Sequence, residues 1–336
     1  MKNKIIIAFC SILFLSFTAC EKLALEPNPS VDNISIYEEY WKLFNEKYAM
    51  FEPKQVDWQN LYNITRPLVN NQISPDSLFT ILGSMTIALR DGHTVLIDHE
   101  KGVGAFFNLE AGYPNNLDET IITQNYLTGN VQTAGDGLTY TTLNNGEIGY
   151  IAYRDFEKEV TTEYMNTILE ALKDTKGIIL DVRGNGGGDP SYAQLMASHF
   201  TENPTYIGYE QFKTGPAKND FSRSDLTLQP TDGTKYLKPL MVLTNRQCYS
   251  ATTTLIYSLN PLPQVKFIGG RTGGGSGSVA DGQLANGWYY SLSTSEFIDY
   301  QDRHLDDGFD PDINVALDSM DMTKDELIER AIQEIN

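Results

Sequence analysis

From residue 146 onward the apolar positions fall into two alternating patterns. "EIGYIAY", "GIILDV", "PLMVLTN" and "QVKFIGG" read as strands, and the unbroken apolar runs in "GIILDV" and "PLMVLTN" are of the kind buried on both faces. Between them, "TTEYMNTILEALKD", "PSYAQLMASHF" and "ATTTLIYSL" read as helices. Strand and helix in alternation predict a parallel sheet with right-handed crossovers, an α/β core over 146–336. "QLANGWYYSL" predicts a hairpin with Asn286-Gly287 at its turn, and "TKDELIERAIQEI" a last helix opened by a Thr323–Glu326 capping box.

Upstream the pattern is different. Residues 34–93 predict a helical subdomain. In it Ile36, Tyr37, Tyr40, Trp41, Phe44 and Tyr48 recur at helical spacing behind a Ser35–Glu38 capping box. Ser74 and Pro75 open a further helix that stops near Gly92 and leaves His93 just past its end. Residues 94–145 are short alternating runs separated by Gly, Asn and Pro, a small antiparallel β section.

The N-terminus lies outside this fold. Lys2 and Lys4 precede the apolar run "IIIAFCSILFLSF", and "TAC" puts small residues before Cys20. Residues 1–19 resemble a bacterial lipoprotein signal, which implies that Cys20 is lipidated. Residues 20–33 then form a polar tether, with the body held at a membrane of the cell envelope. The formal net charge is −19, and loss of two leader lysines makes the remainder more acidic still. Such a surface excludes phosphate-backbone binding, so no nucleic-acid partner is expected. Three cysteines, of which only Cys248 lies in the body, give no intrachain disulfide. Four scattered histidines without HExxH give no metal site, and no organic cofactor is expected.

The candidate chemistry sits in "NRQCYSATTT". Ser250 falls at a strand-to-helix turn, where it is either a helix cap or a nucleophile with free backbone N–H groups beside it. The other loop at the carboxyl edge of the sheet is "RGNGGGDP".

Six stretches decide between those readings: "LRDGHT", "GIILDVRGNGGGD", "LTNRQCYSATT", "FIGGRTGGGSG", "LANGWYYSLST" and "GFDPDI". In order and spacing they resemble the C-terminal processing peptidase and tricorn-core family of serine peptidases, over about residues 75–315. The resemblance implies a crotonase-like α/β spiral core. It makes Ser250 the nucleophile and Ala251, with Gly187 or its neighbour Gly186, the oxyanion hole. Gly275 stands where many relatives carry a catalytic Lys, so the resemblance points to the tricorn-like branch, with His93 of "LRDGHT" as base. That branch orients its His through a Glu that is absent from "HLDDGFDPDI". Asp306 or Asp307 is the replacement, or the third member is missing. No PDZ-like insert is visible in 94–145. The implied partner is a peptide or unfolded polypeptide. A peptide-binding lipoprotein with impaired catalysis is the alternative reading, and acyl-CoA chemistry fits poorly with so few basic residues.

Overall fold

The computed structural model describes residues 31–336. The expected signal peptide, Cys20 and most of the tether lie outside the described residues. Asp32, and not Ser35, caps the first helix: its carboxylate accepts the Ile34 and Ser35 N–H groups, so α1 (Asn33–Lys47) begins before the expected box. Two further helices follow, α2 (Trp58–Thr65) and α3 (Pro75–Ala88), and Ser74 caps α3 as its sequence predicts. These three pack into an aromatic-rich core of Tyr37, Tyr40, Phe44 and Trp58 with Leu78, Leu82 and Met85.

The segment expected as one small β section is divided. Strands β1 (Val95–Asp98) and β2 (Val103–Phe106) join one sheet; β3 (Gln132–Ala134) and β4 (Leu138–Leu143) join another, and α4 (Glu119–Asn125) lies between the pairs. The alternating core follows in the predicted order: β5 (Ile148–Tyr153), α5 (Thr162–Ala171), β6 (Gly177–Asp181) and α6 (Pro190–Ser198). The sequence reading passes over β7 (Thr205–Lys213) and β8 (Phe221–Leu228), a half-exposed hairpin. Then come β9 (Leu240–Thr244), α7 (Ala251–Leu259), β10 (Val265–Gly269), β11 (Val279–Gln283), β12 (Tyr289–Ser293), β13 (Ser295–Asp299), β14 (Ile313–Asn314) and α8 (Glu326–Ile335). Asp325, and not Thr323, caps α8.

The main sheet has seven strands in the order β14-β10-β9-β6-β5-β4-β3. Its first five are mutually parallel, while β4 and β3 extend it antiparallel. The reason for the unbroken apolar runs is visible in its two faces. Ile178, Leu180, Leu240 and Val242 pack with the helices α5, α6 and α7. Ile179, Met241 and Leu243, one residue out of step, pack with Ile122 of α4 and with Leu327, Ile328 and Ala331 of α8. A four-stranded sheet, β11-β12-β1-β2, shares the core of α1–α3 through Leu96, Ala105, Leu284 and Leu292. The remaining sheet is β13-β7-β8.

One buried ion network fixes the carboxyl edge of the main sheet. Arg183 is fully buried between Asp181 (2.7 Å) and Asp325 (2.8 Å), tying the end of β6 to the start of α8. Burial opposes the charge on Asp181, but Arg154 and Arg183 outweigh it and hold its carboxyl well below the usual range. The glycine loop 184–188 starts from this clamp.

Candidate active site

Ser250 opens α7 without capping it. Its φ and ψ are 56° and −118°, a backbone region that a side chain seldom occupies, and its hydroxyl makes no capping bond. Three contacts impose that conformation. The Ser250 N–H donates to the Gly274 carbonyl (3.0 Å), and the Tyr249 N–H to the Asn185 carbonyl (3.1 Å). The Thr253 hydroxyl donates to the same Gly274 carbonyl (2.6 Å). Cys248, next to the turn, is a buried filler: its thiol donates to the Val182 carbonyl at 3.1 Å, and burial pushes it up to about 12.

The released hydroxyl faces His93. Ser250 Oγ lies 3.0 Å from His93 Nε2, across 157 residues of sequence. His93 follows the end of α3, where Arg90 takes φ 53° and turns the chain. Asp91 then accepts the His93 N–H on Oδ1 (2.8 Å), with the Thr94 and Ser293 hydroxyls on Oδ2 (3.0 and 2.8 Å). The Tyr249 ring packs against the imidazole at 4.7 Å between centroids. Burial pulls the His93 pKa below its ordinary value, Lys54 adds to that shift, and Asp91 opposes it. A ring that is neutral at neutral pH can accept the seryl proton on Nε2, with Nδ1 carrying the hydrogen.

Asp306 makes no hydrogen bond to His93. Its Oδ2 lies 2.6 Å from the buried Lys54 ammonium, and its Oδ1 accepts the Ser276 N–H at 3.2 Å. Asp307 lies 2.7 Å from the same ammonium. The physical reason is the cost of burying Lys54, which is 3 % exposed and claims both carboxylates as compensation. Burial works against the ammonium, yet Asp306 and Asp91 outweigh it and push Lys54 up to about 12. Burial, with Asp91 nearby, pushes Asp306 up to about 6 against the pull of Lys54. His93 Nδ1 is buried and has no hydrogen-bond partner among the described residues. Lys54 and Asp91 were missed in sequence; "FEPKQVDW" carries no periodicity that marks its lysine as buried.

The glycines behave unequally. A Cβ on Gly187 (φ 108°) would come within 2.7 Å of Ser250 Cβ and 2.9 Å of the Ala251 nitrogen, so only glycine lets this loop lie over the turn. Ala251, first in its helix, has an N–H without an intrahelical acceptor. The Gly187 N–H is donated to Asn185 Oδ1 at 3.0 Å, while a Cβ on Gly186 would meet nothing within 4 Å. At Gly275 (φ 70°) a Cβ would fall 2.2 Å from the Tyr249 ring, so no lysine could stand there. The other histidines are placed elsewhere. His199 bonds the Thr234 carbonyl, His304 pairs with Glu296, and His99 packs on Tyr289. Among the described residues no group of three or more His, Cys, Asp or Glu side chains could hold a metal ion.

The model of peptidase family S41 matches residues 147–315, half of the chain, including both loops that meet at Ser250. The chain belongs to peptidase family S41. Ahead of that match, the model of the tricorn protease C1 domain covers residues 31–86 of this S41 chain. The crystal structure of a peptidase candidate from Parabacteroides merdae is 36% identical, covers 91% of this chain and 97% of its own, and superposes with a TM-score of 0.86. The carboxy-terminal processing protease CtpA of Bacillus subtilis is 29% identical over 137 residues, which is 40% of the S41 chain and 28% of that protein's length. Mature CPAF shares the fold at a TM-score of 0.64 and 12% identity, over 90% of this chain and 96% of that one. The mixed α/β architecture with a helical N-terminal region is thus that of S41 proteases.

Proposed function

We propose that the chain hydrolyses peptide bonds through an acyl-enzyme, with Ser250 as nucleophile and His93 as general base. The carrying observation is the 3.0 Å approach of Ser250 Oγ to His93 Nε2, made by a serine whose strained backbone leaves its hydroxyl uncommitted to the helix. His93 takes the seryl proton as Oγ attacks the carbonyl, returns it to the leaving amine, and then activates water for deacylation. The Ala251 N–H supplies one oxyanion donor. The second comes from the glycine loop, and Gly187 serves only once its N–H leaves Asn185; Gly186 is the alternative. An exported or unfolded polypeptide adding as an extended strand is the substrate, and residues 1–20 supply an envelope address through lipidation of Cys20.

A binding protein with impaired catalysis is favoured by one feature, the His93 Nδ1 that has no acceptor to orient it. A single experiment separates the two. Full-length chain in detergent is incubated with an unstructured polypeptide, and wild type, Ser250→Ala and His93→Ala are compared by mass spectrometry. New fragments from wild type alone support the peptidase; three inert proteins that still retain peptide support the binder.

A further inference from the structure

A cavity of about 180 Å³ opens directly beside the Ser250 hydroxyl, and one of its walls is charged. Leu226 and Tyr257 line it with apolar surface, and Thr254, Ser276 and Ser278 with hydroxyls. Glu210, on β7, is the sole ionisable carboxylate or base among its lining residues. The side chain is fixed: Oε1 accepts the Ser278 hydroxyl at 2.8 Å and also that of Ser295. Both bonds fall on one oxygen. Among the described residues no Lys, Arg or His forms an ion pair with this carboxylate, whereas the buried Asp181, Asp299 and Asp306 each have one.

We infer that this cavity is the pocket for the substrate side chain preceding the scissile bond, and that Glu210 selects a lysine or arginine there. The inference rests on the peptidase reading of Ser250. A half-buried carboxylate loses solvation as a substrate closes the pocket, and only a cation restores what is lost. The methylene stem of Lys or Arg fits along Leu226 and the Tyr257 ring, which is itself braced by stacking on Phe297 at 3.5 Å. An apolar side chain would leave Glu210 desolvated and unpaired, and an acidic one would add repulsion, so the pocket discriminates by what it rejects as well as by what it holds. The net charge of −19 favours encounter with cationic segments in general.

The test uses two peptidyl phosphonates that differ only in Lys or Leu at the position before the phosphorus. Each is incubated with the full-length chain in detergent, and the labelling rate of Ser250 is read by intact mass. The expected result is labelling about tenfold faster by the Lys probe, and a Lys-to-Leu ratio that falls about tenfold in Glu210→Gln. Because the ratio is taken within one preparation, a partly misfolded variant does not disturb it. A wild-type ratio of one or less, or a ratio that Glu210→Gln leaves in place, overturns the pocket assignment while labelling itself upholds the peptidase. No labelling by either probe overturns the peptidase reading and this inference with it.

Discussion

At Ser250 the backbone carries a cost of order 1–3 kcal/mol that a glycine would not. Ser250→Gly is therefore expected to raise stability by about 1 kcal/mol, after the ~0.5–1 kcal/mol of added chain entropy, while ending turnover. Thermal denaturation beside a peptide-cleavage assay checks both; a lowered melting temperature would show that the hydroxyl supports the fold after all. As the proposed base, His93 would set the pH response. Since burial lowers its pKa, the rate should climb with pH through an apparent value below 6.5 and then level off. A rate profile with its midpoint at or above 6.5 contradicts the burial described for the ring. The same shift makes the unfolded chain bind more protons between the lowered value and 6.5, so His93 costs stability as pH falls through that window. Both residues were singled out from sequence, His93 just past the end of α3 and Ser250 just ahead of α7, chiefly through the motifs that carry the family resemblance. What local sequence could not show was the backbone conformation at Ser250. A cap and a nucleophile share the same residue at the same position; the family resemblance favoured the nucleophile, and the 56° φ and idle capping bond now argue against the cap.

The glycine loop after β6 yields a contrast between neighbours. Gly187→Ala drives a methyl into Ser250 and the Ala251 nitrogen, and should cost about 1–3 kcal/mol with most of the activity; Gly186→Ala points into open space and should leave melting nearly unchanged. Equal melting temperatures for the pair would remove the loop from its place over the turn. Elements buried on both faces were the readable ones, since β6 and β9 are buried at every position and carry the unbroken apolar runs 178–180 and 240–243. The β7–β8 hairpin was not, because "FSRSDLTL" is largely exposed and its polar residues mimic a loop. Helix starts were misplaced for one reason: Asp32 and Asp325 outcompete the nearby Ser35 and Thr323 with a carboxylate that takes two N–H groups each. The division of 94–145 between two sheets depends on pairing with β12 and β5, which local pattern does not encode.

Across the whole molecule, Lys54 joins the helical region to the turn that holds the Ser276 loop, and Asp307 lies 253 residues further along the chain. No single-sequence pattern reaches that far. Lys54→Met strands Asp306 in the interior and should cost about 3–5 kcal/mol near neutral pH. The loss should shrink on acidification, because Asp306 is already raised to about 6 and a protonated carboxyl needs no cation. Denaturant melts at pH 5 and pH 8 test this, and a larger loss at pH 5 would contradict it. The wider consequence concerns newly made copies of the chain. The imidazole and the hydroxyl belong to separately packed bodies, one built on α1–α3 and one on the seven-stranded sheet. If the 3.0 Å Ser250–His93 contact is the catalytic pair proposed above, a copy whose two cores have not packed together lacks that pair. On the proposed mechanism, activity is thereby tied to completion of the fold and needs no separate inhibitor to delay it.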